Sequence, residues 1–159
     1  MLEGLRGAAL LVPDAASCAL PDVAWQHYGH IDQASYDFVE DVTLPITNAI
    51  VERAATQLDR KLVVRTTRLL RLRAGDYLLA HHDRFYDDNP VELTLDLSPA
   101  SVPGAEVHYR RRGNVFFRMP CVPRSLAIVE RGPAVSCNHT YISKLMPDAL
   151  VIRYVVLAA

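Results

Sequence analysis

Residues 69–83 read Leu-Leu-Arg-Leu-Arg-Ala-Gly-Asp-Tyr-Leu-Leu-Ala-His-His-Asp, and the fold turns on how this stretch is read. Ala74-Gly75-Asp76 is a turn signal between two apolar runs, and the second run, 77–80, leads as a strand into an H-x-D triplet. Alternate residues of a strand project to the same side, so His81 and Asp83 point together while His82 points away. One imidazole and one carboxylate on a common face are two thirds of a facial metal triad. The best candidate for the third member is His139, which lies on a separate strand far along the chain. Two imidazoles and a carboxylate that leave three positions open suit non-haem Fe(II). Taken singly each piece is weak, because H-x-D arises by chance and a lone histidine on a strand is usually a satisfied core or surface residue. The combination carries the weight.

Working outward, apolar and β-branched runs at 62–64 and 66–72 precede the turn. After Asn89-Pro90, residues 91–98 alternate strictly, with Val91, Leu93, Leu95 and Leu97 set against Glu92, Thr94, Asp96 and Ser98. That pattern predicts a half-buried strand. Further strands are predicted at 107–110, at 115–118 after the tight turn Arg112-Gly113-Asn114, and at 125–130. The breaker Arg131-Gly132-Pro133 then leads to 134–142, which carries His139, and 149–157 closes the chain. Roughly eight short, evenly spaced strands predict a mainly β fold, a double-sheet jelly roll or double-stranded β-helix of the cupin-like kind.

The N-terminal third reads differently. Residues 1–31 suggest short strands and turns. Trp25, His27, Tyr28 and His30 form either an edge strand closing the core or a wall of a substrate pocket. Asp32 is placed to cap a short helix reaching about residue 40, and Thr43 a longer one with Pro45 in its first turn. Ile46, Ile50, Val51, Ala54, Ala55 and Leu58 give the longer helix one apolar face, which predicts a buttress packed outside the sheets. The expectation is a single domain over 1–159, with N-terminal strands and helices at 1–60 and the jelly-roll core at 61–159.

Composition narrows the function. With 159 residues, half of them hydrophobic and 22% charged, the chain is ordinary for a soluble globular domain. A formal net charge of −1 leaves no electrostatic footprint for nucleic acid. Cys18, Cys121 and Cys137 are sparse and form no CxxC pair, which fits a reducing compartment better than a disulfide framework. The apolar patch at 8–12 is too short for a signal peptide, and no segment approaches the length of a membrane span. The expected location is cytoplasmic. Arg110-Arg111-Arg112 reads first as a solvated hairpin, and otherwise as a contact for an acidic substrate or carrier. Phe85 and Tyr86 either line a substrate entrance or pack. His82 and His108 are taken as non-ligands.

Arg153 adds an independent clue. It shares one strand face with Val151, Val155 and Leu157, and its other neighbours are apolar as well. A guanidinium there must reach solvent, pair with an internal acid or meet an anionic ligand, because burying it alone is costly. Arginine is the side chain best shaped to grip a carboxylate with two hydrogen bonds.

The run Leu70-Arg71-Leu72-Arg73-Ala74-Gly75-Asp76-Tyr77-Leu78 through His81 and Asp83 resembles the signature of Fe(II)/2-oxoglutarate-dependent oxygenases, especially the prolyl-hydroxylase-like branch. The likeness continues through Thr94 and Leu97 in VELTLDLS, Gly104 and Glu106 in PGAEVHY, and SLAIVE. It ends at His139 and Arg153. The resemblance implies a double-stranded β-helix with Fe(II) held by His81, Asp83 and His139 as the catalytic centre. It also implies 2-oxoglutarate as co-substrate, its distal carboxylate on Arg153, and O2 as oxidant. Leu72 stands where many relatives have a co-substrate tyrosine, and Tyr77 is its replacement on the expected strand register. Thr94 is assigned to the same co-substrate site. Tyr154-Val155 departs from the serine that relatives often carry two residues beyond the arginine. The activity implied is hydroxylation of a C–H bond in a small molecule, an amino acid or a peptide side chain. The alternatives are a cupin-like metalloprotein that does not use 2-oxoglutarate and a jelly-roll binding module without enzymatic activity.

Overall fold

The computed structural model describes residues 7–11, 20, 22–30, 32–81, 90–132 and 135–159, with 7–11, 80 and 81 described by their backbone only. Among these residues there are eleven strands and one helix. They are β1 (Gly7–Leu11), β2 (Gln26–His30), β3 (Ala34–Glu40), α1 (Thr47–Leu58), β4 (Val64–Arg73), β5 (Tyr77–His81), β6 (Val91–Asp96), β7 (Val107–Arg111), β8 (Asn114–Met119), β9 (Ser125–Glu130), β10 (Val135–His139) and β11 (Leu150–Ala158). The strand order is β1-β9-β6-β11-β4-β3-β5-β10-β7-β8, with β2 added on β3, and the pairing is antiparallel. This path folds over on itself. One wall is β1-β9-β6-β11-β4 and the other is β5-β10-β7-β8, and β3 joins them by pairing with both β4 and β5. The result is a nearly closed jelly roll, whose eight core strands are β4 to β11.

Strand alternation sorts the side chains into two layers. On the outer face of the first wall, Leu93, Leu95, Leu126, Ile128, Ile152, Tyr154 and Val156 form a core with Ile50, Ala54 and Leu58 of α1. The helix therefore lies outside the sheets, as its single apolar stripe requires. Its start is later than Thr43 suggests. Pro45 precedes the helix, Ile46 is the capping position, and no side chain caps it. Tyr154 pins this end instead, accepting from the Leu44 N–H (3.2 Å) and sharing a 2.7 Å hydrogen bond with the Thr47 hydroxyl. Two apolar clusters fill the space between the walls. One contains Leu70, Leu72, Val151 and Val155, and the other joins Ala127 and Val129 to Val107, Tyr109, Val135 and Cys137.

Two expectations are corrected here. Residues 34–40 form β3 and not a short helix, so α1 is the one helix among the described residues. Ala34 and Tyr36 alternate into the interior, and β3 hydrogen-bonds to β2, β4 and β5. Long-range pairing of a Tyr/Phe/Val-bearing segment outweighs the local capping signal of Asp32. The second correction concerns β6, which is buried on both faces and not half-buried. Its leucines meet α1, while Glu92, Thr94 and Asp96 face the barrel interior and are polar for a reason other than solvent. No helix among the described residues is long and apolar enough to cross a membrane.

Candidate active site

Arg153 lies near the start of β11, with Leu70 of β4 and Asp96 of β6 as its cross-strand neighbours. None of its surface is exposed (0%). Its guanidinium crosses to the opposite wall, where NH1 lies 2.9 Å from Nδ1 of His139 on β10. NH2 donates to the Ala105 carbonyl at 3.0 Å, and Nε is buried with no partner. Asp96, also fully buried, accepts the Ser98 N–H at 2.8 Å through Oδ1, while its Oδ2 has no partner. Burial pulls the guanidinium pKa below its ordinary value, and the nearby Asp96 charge acts in the opposite direction. Arginine remains a cation throughout.

A second buried arginine provides the contrast. Arg131, just beyond the end of β9, forms a 2.9 Å ion pair with Glu92 and donates to the Val135 carbonyl. Tyr109 donates to the other Glu92 oxygen and lies 3.1 Å from the Thr94 hydroxyl. Burial and the adjacent Glu92 charge push the Tyr109 phenol well above its usual pKa, so it serves as a neutral donor. Arg131 thus has a carboxylate of its own. Among the described residues, no carboxylate pairs with Arg153.

The expected site residues can now be placed. His139 is buried (4% exposed) at the end of β10, opposite Val107 of β7. On its other side β10 pairs with β5, where Cys137 is opposite the backbone of His81. The His81 side chain, His82 and Asp83 lie outside the described residues, as do Phe85 and Tyr86. Among the described residues, no group of three metal-ligating side chains is assembled. An imidazole that accepts a hydrogen bond at Nδ1 carries its own hydrogen at Nε2. For Nε2 to serve as a metal ligand, the ring must exchange tautomers and NH1 of Arg153 must leave.

Thr94 faces the interior between Glu92 and Asp96, bonded to Tyr109 as described. Tyr77 is placed differently from the expected register. Its ring centroid is 6.4 Å from that of Tyr141, while its neighbour Leu78 packs into the interior. A register shift between Leu78 and His81 breaks the strict alternation on which Tyr77 and His81 were expected to share a face. Leu72 and Val155 are interior apolar residues beside Arg153. His108 faces away from the interior and is bonded to Glu106 at 2.9 Å. Sequence reasoning missed Glu92, Asp96, Tyr109 and Arg131 as interior polar groups. The one available signal was the polar half of β6, which lies between two strongly apolar strands of the same wall.

No protein-family model and no curated protein matches this sequence. Solved structures do match its fold. One is an oxidoreductase of the 2OG-Fe(II) oxygenase family from Burkholderia pseudomallei, with a TM-score of 0.64 and 13% identity over 87% of this chain and 74% of that one. The chain resembles the 2-oxoglutarate oxygenases in fold. A prolyl-4-hydroxylase from Pseudomonas putida matches at a TM-score of 0.58 and 13% identity, over 98% and 91% of the two chains. A non-haem α-ketoglutarate-dependent carbocyclase from nogalamycin biosynthesis matches at 0.60 and 11%, over 84% and 67%. At these identities the likeness concerns the double-stranded β-helix and not a shared substrate.

Proposed function

We propose that this chain is an Fe(II)- and 2-oxoglutarate-dependent oxygenase that hydroxylates an unactivated C–H of a small molecule, an amino acid or a peptide side chain. The observation that carries this reading is Arg153, a fully buried cation with an orphan Nε and, among the described residues, no paired carboxylate. The distal carboxylate of a dicarboxylic 2-oxo acid is a partner of the right charge and shape for it. Bound iron and 2-oxoglutarate would supply the oxidation, with decarboxylation to succinate and CO2 and transfer of one oxygen atom from O2 to the substrate.

The chain's own residues divide the remaining work. His81, Asp83 and His139 would hold the metal, with β5 and β10 adjacent and His139 directed into the interior. Arg153 would grip and orient the co-substrate from the opposite wall. Asp96 lies close enough to favour the charged guanidinium, yet its Oδ1 is committed to Ser98 and takes none of Arg153's donors. Leu70, Leu72, Val151 and Val155 exclude water around that contact and so strengthen it.

The test is co-substrate turnover. Protein supplied with Fe(II), 2-oxoglutarate and air should form succinate even without the prime substrate, and His139→Ala should abolish this. Folded wild-type protein that binds Fe(II) but leaves 2-oxoglutarate unconsumed and unbound would instead favour a metalloprotein of the cupin kind.

A further inference from the structure

The β7–β8 turn carries three consecutive arginines that do different things. Arg110 is tied down, its Nε donating to Asn138 at 3.1 Å and its NH1 to the Gly113 carbonyl at 3.2 Å. Arg111 and Arg112 have no hydrogen-bond or ion-pair partner among the described residues. Together with Asn114, Val115 and Phe116 they line an open surface cavity of about 410 Å³. Arg112 occupies the left-handed region at φ 50°, ahead of Gly113 at φ 82°. Asparagine or glycine would adopt that conformation more readily, so an arginine is held there against its own preference. Beside the turn, the β7–β8 register shifts between Tyr109 and Arg110 and leaves Phe116 as the extra residue. Bulges of this kind redirect side chains near functional sites. Phe116 reaches both the cavity and the interior cluster beneath it.

Its position links this cavity to the candidate active site. Arg111 is opposite Val135 at the start of β10. Two residues along that strand, Cys137 has Tyr109 on one side and His81 on the other. The arginine turn therefore sits at the barrel end where β5 finishes.

We propose that this cavity is a second anion site, distinct from Arg153, which takes the acidic end of the molecule to be oxidised. The ligand class is a small organic anion, a phosphate ester or a carboxylic acid, with its charge between the two guanidiniums and its apolar part on Phe116. Its role as a substrate site rests on the oxygenase reading, whereas its anion binding does not.

The experiment is calorimetric titration of the full chain with phenyl phosphate, benzoate and inorganic phosphate. At least one aromatic anion should bind more tightly than inorganic phosphate, and the tighter of the two identifies the acid group. Arg111→Gln/Arg112→Gln should weaken that binding at least about tenfold, while Arg118→Gln, which removes one charge from the same hairpin, should change it less than about twofold. Arg112→Gly should raise Tm by relieving the backbone and still weaken the anion. Equal losses in the double variant and Arg118→Gln would mean diffuse charge attraction and overturn the site, as would no loss in the double variant. Affinity for 2-oxoglutarate should be the same in the double variant and the wild type. A parallel loss would put the co-substrate on the hairpin and overturn the assignment. If the wild type binds no 2-oxoglutarate but holds phenyl phosphate through Arg111 and Arg112, the oxygenase reading falls and the anion site stands.

Discussion

Replacing Arg153 by methionine should weaken 2-oxoglutarate binding by about 30-fold to several thousand-fold while leaving metal binding in place. The guanidinium is wholly buried, so bonds it makes to a ligand carboxylate form away from water. Removing one partner of a buried, hydrogen-bonded charge pair costs about 2–5 kcal/mol, and about 1.4 kcal/mol corresponds to a factor of ten. Methionine is preferred to alanine because it keeps most of the volume between Val151 and Val155 and limits cavity formation. Arg153→Lys should recover only part of the affinity, since an ammonium keeps the charge but loses the planar fork. The assay is titration of 2-oxoglutarate into anaerobic Fe(II) protein, with near-ultraviolet dichroism and Tm confirming that each variant is folded. Unchanged affinity in folded Arg153→Met would refute the reasoning. Arg153 would then be a structural companion of Asp96, and a metalloprotein that does not use 2-oxoglutarate would become the better reading.

Three further substitutions have expected outcomes. Asp96→Asn keeps an acceptor for the Ser98 N–H but removes a like charge beside the incoming carboxylate, so 2-oxoglutarate should bind on the order of tenfold more tightly. Thermal denaturation of the ligand-free Asp96→Asn protein should show a lower Tm, because Arg153 loses the charge that compensates it. Tyr109→Phe removes the donor to Glu92, a bond worth about 1.5–3 kcal/mol. At about 2–4 °C per kcal/mol for a chain of this size, Tm should fall by roughly 3–12 °C in a melting scan. Asp37 is partly buried, which alone would raise its carboxyl pKa, but hydrogen bonds with His27 and Arg71 hold it below the ordinary value. Its contribution to stability is therefore full above the unfolded-state pKa near 4 and is lost as pH falls through the lower folded value. Asp37→Asn should make denaturation midpoints less sensitive to pH in that acid window, and an unaltered slope would show that the pair contributes nothing.

Periodicity made the jelly-roll strands legible because each side chain's face follows from its place in the strand. The same logic put Arg153 among interior valines and α1 outside the sheets. Three features escaped it, each for a physical reason. Residues 34–40 carry a plausible helix start, and pairing with β2, β5 and the distant β4, about thirty residues away, makes them a strand. The alternation of β6 marks two faces but cannot say that the polar face is enclosed, since Glu92 finds its compensating charge on Arg131, just beyond β9, and Asp96 accepts the Ser98 N–H. The register shift in β5 is a backbone event with no residue signature, and Leu78, not Tyr77, packs into the interior. Of the metal ligands expected, His139 is placed in the interior, while the His81 side chain and Asp83 fall outside the described residues.

The most direct test of the central claim is the absorption spectrum of anaerobic protein given Fe(II) and 2-oxoglutarate together. An oxygenase of this kind gives the visible charge-transfer band of an iron-chelated 2-oxo acid, absent with either component alone. The band should be lost in His81→Ala, Asp83→Ala and His139→Ala, retained in His82→Ala, and should decay on admission of air as succinate forms. Folded wild-type protein that shows no band and forms no succinate would contradict it.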